Sequence, residues 1–107
     1  MEHENCTIEL TSNRLILSKD CVSLLNISPG ERVTIAYRSV NNQVTFPLIG
    51  KSETFTDLSD GNRLTKSNTI SFRGQQNDIL KLYGEYFYLE DYKPNIYKLV
   101  STTAENK

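Results

Sequence analysis

Residues 14–35 read RLILSKDCVSLLNISPGERVTI, and residues 69–89, TISFRGQQNDILKLYGEYFYL, repeat the same order of apolar positions. Each copy predicts an alternating strand, a one-sided helix, a glycine turn and a second alternating strand. The alternative is two ordinary strand–helix–strand passages that align by chance. The matching positions are Leu15 with Ile70, Leu17 with Phe72, Leu24 and Leu25 with Ile79 and Leu80, and Ile27 with Leu82 at a shift of 55, then Gly30 with Gly84, Val33 with Phe87 and Ile35 with Leu89 at a shift of 54.

Further alternating segments flank each copy and add a strand at either end. In the second copy, residues 59–62 are expected to form a turn and residues 63–68 an extended loop before the next strand. The predicted fold class is mainly β with two short helices, a small pseudo-symmetric barrel of two β-β-α-β-β units. The four flanking strands are predicted at residues 7–10, 44–49, 53–58 and 96–100.

A chain of 107 residues without an internal linker predicts one domain. We expect a single barrel over residues 6–100, with repeat one at 6–49 and repeat two at 54–100. Residues 1–5 are expected to be disordered, and residues 101–107 are expected to form a flexible C-terminal tail.

Composition excludes several classes of function. The net charge of −1 gives no global field that would draw the chain to nucleic acid or membrane, so an anion site must be local. No apolar run approaches the length of a membrane span, and an acidic start without an apolar segment behind it predicts a cytoplasmic protein. Cys6 and Cys21 form no CxxC pair, and the single histidine, His3, is expected in the frayed terminus. We therefore predict no metal and no cofactor.

Catalysis has little support in the sequence, and we predict that the protein is not an enzyme. Asp57 and Asp60 lie three residues apart near a glycine turn, a spacing that suits acid–base work but is more typical of turn chemistry. Cys21 lies at the start of a predicted helix, where a thiol pKa can fall, but a buried structural cysteine is the favoured interpretation.

Charge is separated along the chain. Residues 61–81 hold four cations against one anion, a local net charge of +3, whereas residues 1–13 hold three glutamates and no lysine or arginine, a local net charge of −3. A one-faced phosphate-binding surface requires a separation of this kind. A solvated loop with ordinary surface lysines is the alternative.

The first copy resembles the SpoVT/AbrB family of swapped-hairpin domains. The residues that carry the resemblance are Asn13–Ser18, then Val22–Ile35 with its Ser28-Pro29-Gly30-Glu31 turn. The resemblance implies two interleaved units in one barrel, here supplied by one chain as a fused pseudo-dimer, with the related double-psi barrels as an open alternative topology.

The same resemblance implies DNA contacts at the loop between the first two strands of each unit and just after it. Carried over by position, these are Arg14 in copy one and Arg63 in copy two. Lys19, Lys66 and Arg73 join the predicted DNA-binding set by proximity in the sequence.

Tyrosines crowd the second half of the chain. Tyr86 and Tyr88 alternate with apolar residues, which predicts one aromatic, hydroxylated strand face, and Tyr92 follows close behind. Such a face suits a protein partner or stacked bases, or it is simply the outside of a strand.

The sequence thus predicts a DNA-binding protein of transcription-regulator type whose partner is double-stranded DNA. The alternative is a protein-binding adaptor or inhibitor that acts on a host machinery. A small, asparagine-rich chain of this kind is typical of phage accessory proteins, and we expect a monomer or homodimer with no membrane partner.

Overall fold

A computed structural model describes residues 2–41, 43–52, 61–72 and 74–102, which form eight strands and two helices. The fold is mainly β, as the sequence predicts. The elements in chain order are β1 (Glu2–Leu10), β2 (Arg14–Leu17), α1 (Lys19–Leu25), β3 (Arg32–Val40), β4 (Gln43–Lys51), β5 (Asn62–Arg63), β6 (Thr69–Ser71), α2 (Gln75–Lys81), β7 (Tyr86–Lys93) and β8 (Ile96–Thr102).

Side-chain capping fixes the first helix. Ser18 is the extended N-cap, and its hydroxyl accepts a hydrogen bond of 3.1 Å from the backbone N–H of Cys21. The same hydroxyl donates to the carbonyl of Asn5, which ties α1 to β1. Asn26 ends the helix in the left-handed conformation at φ 56°.

The second helix is held differently, because its N-cap, Gly74, has no side chain to offer. Instead the buried amide of Asn77 donates hydrogen bonds of 2.8 Å to the carbonyls of Thr11 and Phe72. The helix is therefore anchored to the first hairpin loop through one polar side chain.

The strands form one antiparallel sheet in the order β5-β3-β4-β8-β7-β1-β2-β6. A bridge between Leu64, which follows β5, and Ile70 of β6 brings the two ends of this order together. The sheet is therefore a nearly closed barrel. Because hairpin β3–β4 of the first unit lies between β5 and β8 of the second, the two units exchange hairpins.

The pairings obey a pseudo-two-fold relation that maps β1–β4 onto β5–β8. Leu10 pairs with Leu15, and the bridge from Leu64 to Ile70 is the same pair in the second unit. Leu15 also pairs directly with Ile70, its own counterpart, so the pseudo-dyad passes through this pair.

The opposite side of the barrel repeats the relation with a different spacing. Ile35 pairs with Ile49 in β3–β4, and Leu89 pairs with Leu99 in β7–β8. The last strand of each unit is thus related by a shift of 50 residues rather than 54 or 55.

Apolar side chains from both units fill the interior. Leu17 and Phe72, the predicted equivalents, are both 3% exposed and both lie in the core. The other buried apolar residues include Ile8, Leu10, Leu15, Leu25, Val33, Ile49, Leu64, Ile70, Leu80, Phe87, Leu89 and Leu99.

Both ends of the described chain are more ordered than we expected. β1 begins at Glu2, and the Nε2 of His3 lies 2.7 Å from a carboxylate oxygen of Asp91 rather than in a frayed terminus. β8 continues through Thr102, into the predicted tail. Residues 103–107 lie outside the described residues.

The second unit departs from the prediction at two places. Asn62 and Arg63 form β5 rather than a turn and loop, and the strand predicted at residues 53–58 lies outside the described residues. Ile79 of α2 is 41% exposed and Leu82, which ends the helix, is 85% exposed, so the repeated apolar pattern is wrong in predicting that the buried side of the helix includes them. A helix of seven residues presents less than two turns to the core, and Leu80 with Asn77 already fills that contact.

Candidate nucleic-acid interface

Two hairpin loops, residues 11–13 and 65–68, lie on either side of the pseudo-dyad. They close in the same way: the N–H of Thr11 bonds the carbonyl of Arg14, and the N–H of Thr65 bonds the carbonyl of Thr69, both at 2.9 Å. Each threonine hydroxyl also accepts from the backbone N–H of the residue that follows its loop. The loops are therefore fixed by their own hydrogen bonds.

An open polar groove of about 300 Å³ separates these loops. None of the described residues that line it is acidic, and its side chains offer hydroxyls, one amide and one guanidinium. The lining residues are Asn13, Arg14, Thr65, Ser67, Thr69 and Ser71.

The structure brings two of the predicted DNA-binding cations to these loops. Arg14 lines the groove, and Lys66 lies in the loop beside it; both are exposed. Among the described residues, neither cationic group makes a hydrogen bond or ion pair. Both are consequently available to an anion.

The other three predicted residues lie elsewhere. Lys19 begins α1, beyond the far end of β2 from Arg14. Arg63 lies in β5 and not in the hairpin loop, and the position that corresponds to Arg14 is Thr69. Arg73 lies outside the described residues.

Arg63 has a neighbour that the sequence reasoning missed. Arg32 of β3 is its direct cross-strand partner, and both side chains are exposed. Arg32 belongs to the first repeat, so only the exchange of hairpins brings the two together. The 54-residue shift makes this pair the counterpart of Tyr86 and Glu9, but the shift alone does not say which strands pair.

The predicted tyrosine face exists for Tyr86 and Tyr88 on β7. Their hydroxyls donate hydrogen bonds of 3.2 Å to Glu9 and Glu2 of β1. Burial, together with the hydrogen bond to Glu2, raises the pKa of Tyr88. Tyr92 lies apart, beyond the irregular pairing near the end of β7, and packs edge-on against Phe46 with the ring centroids 5.6 Å apart.

A second depression, of about 390 Å³, lies beside this tyrosine face. Its lining is largely apolar and includes Ile16, which is 38% exposed, with Tyr86 and Thr102 at the rim. It lies on the opposite side of the pseudo-dyad from the arginine pair.

The surroundings of Cys21 do not favour catalysis. Cys21 is fully buried, and this burial raises the pKa of its thiol well above the usual range, with Cys6 nearby adding to the shift. A protonated, inaccessible thiol is a poor nucleophile. Asp57 and Asp60 lie outside the described residues.

Within the described ranges, no three histidine, cysteine or acidic side chains converge as a metal site would require. No helix in the same ranges has both the length and the apolar character needed to cross a membrane.

No protein-family model matches the chain, and comparisons with curated proteins and with solved structures find no significant similarity.

Proposed function

We propose that this protein binds double-stranded DNA as a transcription regulator, with the groove between the two hairpin loops as its contact surface. The observation that carries the proposal is the meeting of the loops at the pseudo-dyad. There Arg14 and Lys66 accompany a lining that contains no described acidic residue. Membership of the swapped-hairpin family is part of the proposal, supported by the exchange of hairpins between the two units.

The chemistry of the groove suits a nucleic acid. Arginine and lysine neutralise phosphates, and arginine also reads a guanine edge through two hydrogen bonds. Asn13 offers a donor and an acceptor of the kind that pairs with adenine, and the surrounding hydroxyls suit phosphate oxygens.

The test is titration of a fluorescent 20-base-pair duplex at several salt concentrations, followed by anisotropy. Arg14→Ala combined with Lys66→Ala should weaken binding and flatten the plot of log Kd against log salt by about 2, one unit for each phosphate contact. Lys93→Ala, at an exposed lysine in the β7–β8 hairpin, is the matched control. Absence of any duplex binding by the wild-type protein at low salt would refute the proposal.

A protein-binding adaptor is the second candidate, favoured by the tyrosine face and the apolar depression next to it. Tyrosines often supply interface hot spots. A stoichiometric partner that survives nuclease treatment and is lost with Tyr86→Ala plus Tyr88→Ala would support it, provided that the variant keeps its thermal unfolding temperature. Retention of the partner by a folded double variant would exclude this face.

A further inference from the structure

Two cross-strand pairs that contain arginine lie beside each other on the outer face of the barrel. Arg14 of β2 pairs with Ser71 of β6, and Arg32 of β3 pairs with Arg63 of β5. All four side chains are exposed, so both pairs face away from the core.

The register between β5 and β6 joins these pairs into one row. Leu64 bridges Ile70, so the residue before Leu64 in this antiparallel pair, Arg63, lies opposite Ser71. We call the sequence Arg32, Arg63, Ser71 and Arg14 the arginine row. With neighbouring strands about 4.8 Å apart, it extends over roughly 14 Å.

The pseudo-dyad places a different row on the other side. Tyr86 pairs with Glu9, Glu9 with Ile16, and Ile16 with Thr69. These are the counterparts, in order, of the four positions of the arginine row. One side therefore carries three cations, and the other carries an acid, a tyrosine and an exposed apolar side chain.

Packing gives no reason for placing Arg32 opposite Arg63. Like charges directly across a strand pair repel and destabilise a sheet. Each guanidinium donates one hydrogen bond to a backbone carbonyl, Arg32 to Gly61 at 3.0 Å and Arg63 to Gly30 at 3.2 Å. A guanidinium has five N–H donors, so most remain for a ligand.

We propose that one strand of the DNA backbone lies along the arginine row, so that DNA binding is one-sided with respect to the pseudo-dyad. This inference rests on the proposed function and adds Arg32 and Arg63 to its contacts. A DNA strand carries phosphates at regular intervals, so a row of cations roughly 14 Å long can contact more than one of them. Glu9, in the corresponding row on the other side, would repel the same backbone.

The experiment is the duplex titration described above, applied to Arg32→Ala and Arg63→Ala. Each variant should lower the salt slope by about 1, because each removes one phosphate contact. Lys93→Ala should leave the slope unchanged. Glu9→Arg, which places a cation at the counterpart of Arg63, should also leave it unchanged, since the backbone does not reach that side.

The variant Arg32→Lys distinguishes a role in DNA binding from a purely structural role of the arginine. This variant keeps the charge but loses the planar fork, so it should restore the salt slope whatever it does to thermal unfolding. Unchanged slopes in folded Arg32→Ala and Arg63→Ala would overturn the inference, as would a steeper slope in Glu9→Arg. If Arg14→Ala with Lys66→Ala still flattens the slope in that case, the proposed function survives; a wild-type protein that binds no duplex overturns both.

Discussion

Arg32 and Arg63 on one side of the pseudo-dyad occupy the positions that Tyr86 and Glu9 occupy on the other. The core at the dyad itself shows no such divergence, since Leu15 and Ile70 are both apolar and buried there. Core positions must match in volume and polarity, whereas an exposed strand face tolerates almost any side chain. The two repeats therefore share a scaffold and differ where a ligand would meet them.

The largest expected effect tests whether the two helices are equivalent in the core. Leu25→Ala in α1 and Leu80→Ala in α2 should each lower the free energy of unfolding by roughly 2–5 kcal/mol, because both side chains are buried. Urea denaturation followed by circular dichroism measures it. Losses below about 1 kcal/mol at both sites would contradict the core assignment.

A smaller effect on stability should distinguish α2 from α1. Asn77→Ala leaves the carbonyls of Thr11 and Phe72 without their donor, which should cost about 1–3 kcal/mol. Val22, the counterpart in α1 at a shift of 55, is only partly buried and makes no such bond, so Val22→Ala should cost less. Equal losses in denaturant titrations would mean that the amide contributes only packing.

Tyr37 and Asp91 are also counterparts, at a shift of 54 residues, and the fold shifts their pKa values in opposite directions. Burial, followed by the neighbouring Tyr83, raises the pKa of Tyr37 to about 12. In the unfolded chain the Tyr37 hydroxyl ionises near pH ~10. Its ionisation therefore does not affect the stability of the fold below that pH, and the fold loses stability as the pH rises toward 12. Absorbance at 295 nm should show a tyrosine that ionises near pH 12 and that is lost in Tyr37→Phe.

The same substitution also examines an unsatisfied group. Among the described residues, the Tyr37 hydroxyl is a buried oxygen without a hydrogen-bond partner. Tyr37→Phe should therefore leave the stability at neutral pH unchanged or raise it by up to ~1 kcal/mol. A clear loss in thermal unfolding would reveal a partner for the hydroxyl.

The smallest effect concerns Asp91 on the other side. The hydrogen bond from His3 lowers the pKa of this carboxyl below its ordinary 3.8. The pairing therefore stabilises the fold above that pH and is lost as pH falls through the lowered value. NMR titration of the Asp91 carboxyl should show the low pKa in the wild type and a return to normal in His3→Ala. An unchanged Asp91 titration would mean that the pair does not form in solution.

Much of the barrel could be predicted from the sequence because apolar periodicity marks which residues face the core. The alternation around Leu15 and Ile70 is sufficient to predict β2 and β6. Periodicity does not say which strands pair. The two-residue β5 has no pattern to detect, so Arg63 was assigned to a loop.

The candidate site was only partly predictable for the same reason. Arg14 directly follows one hairpin loop and Lys66 lies in the other, and turn residues reveal such loops locally. Arg32 reaches Arg63 only through a contact between strands 31 residues apart in the chain, and no local signal encodes it. A long-range register is set by the whole sheet.

The two-residue β5 and the single bridge beside it have a consequence for how the barrel opens. Between β5 and β6, the ring is joined through Leu64 and the neighbouring bond from Thr65 to Thr69, whereas β3 and β4 are joined along eight paired positions. The least-protected seam of a protein opens first, at a free energy below that of global unfolding. The amide of Thr65 should therefore exchange with solvent deuterium sooner than that of Ile49. The seam also separates Arg63 from Ser71, so the same local opening would set the spacing between the two halves of the arginine row.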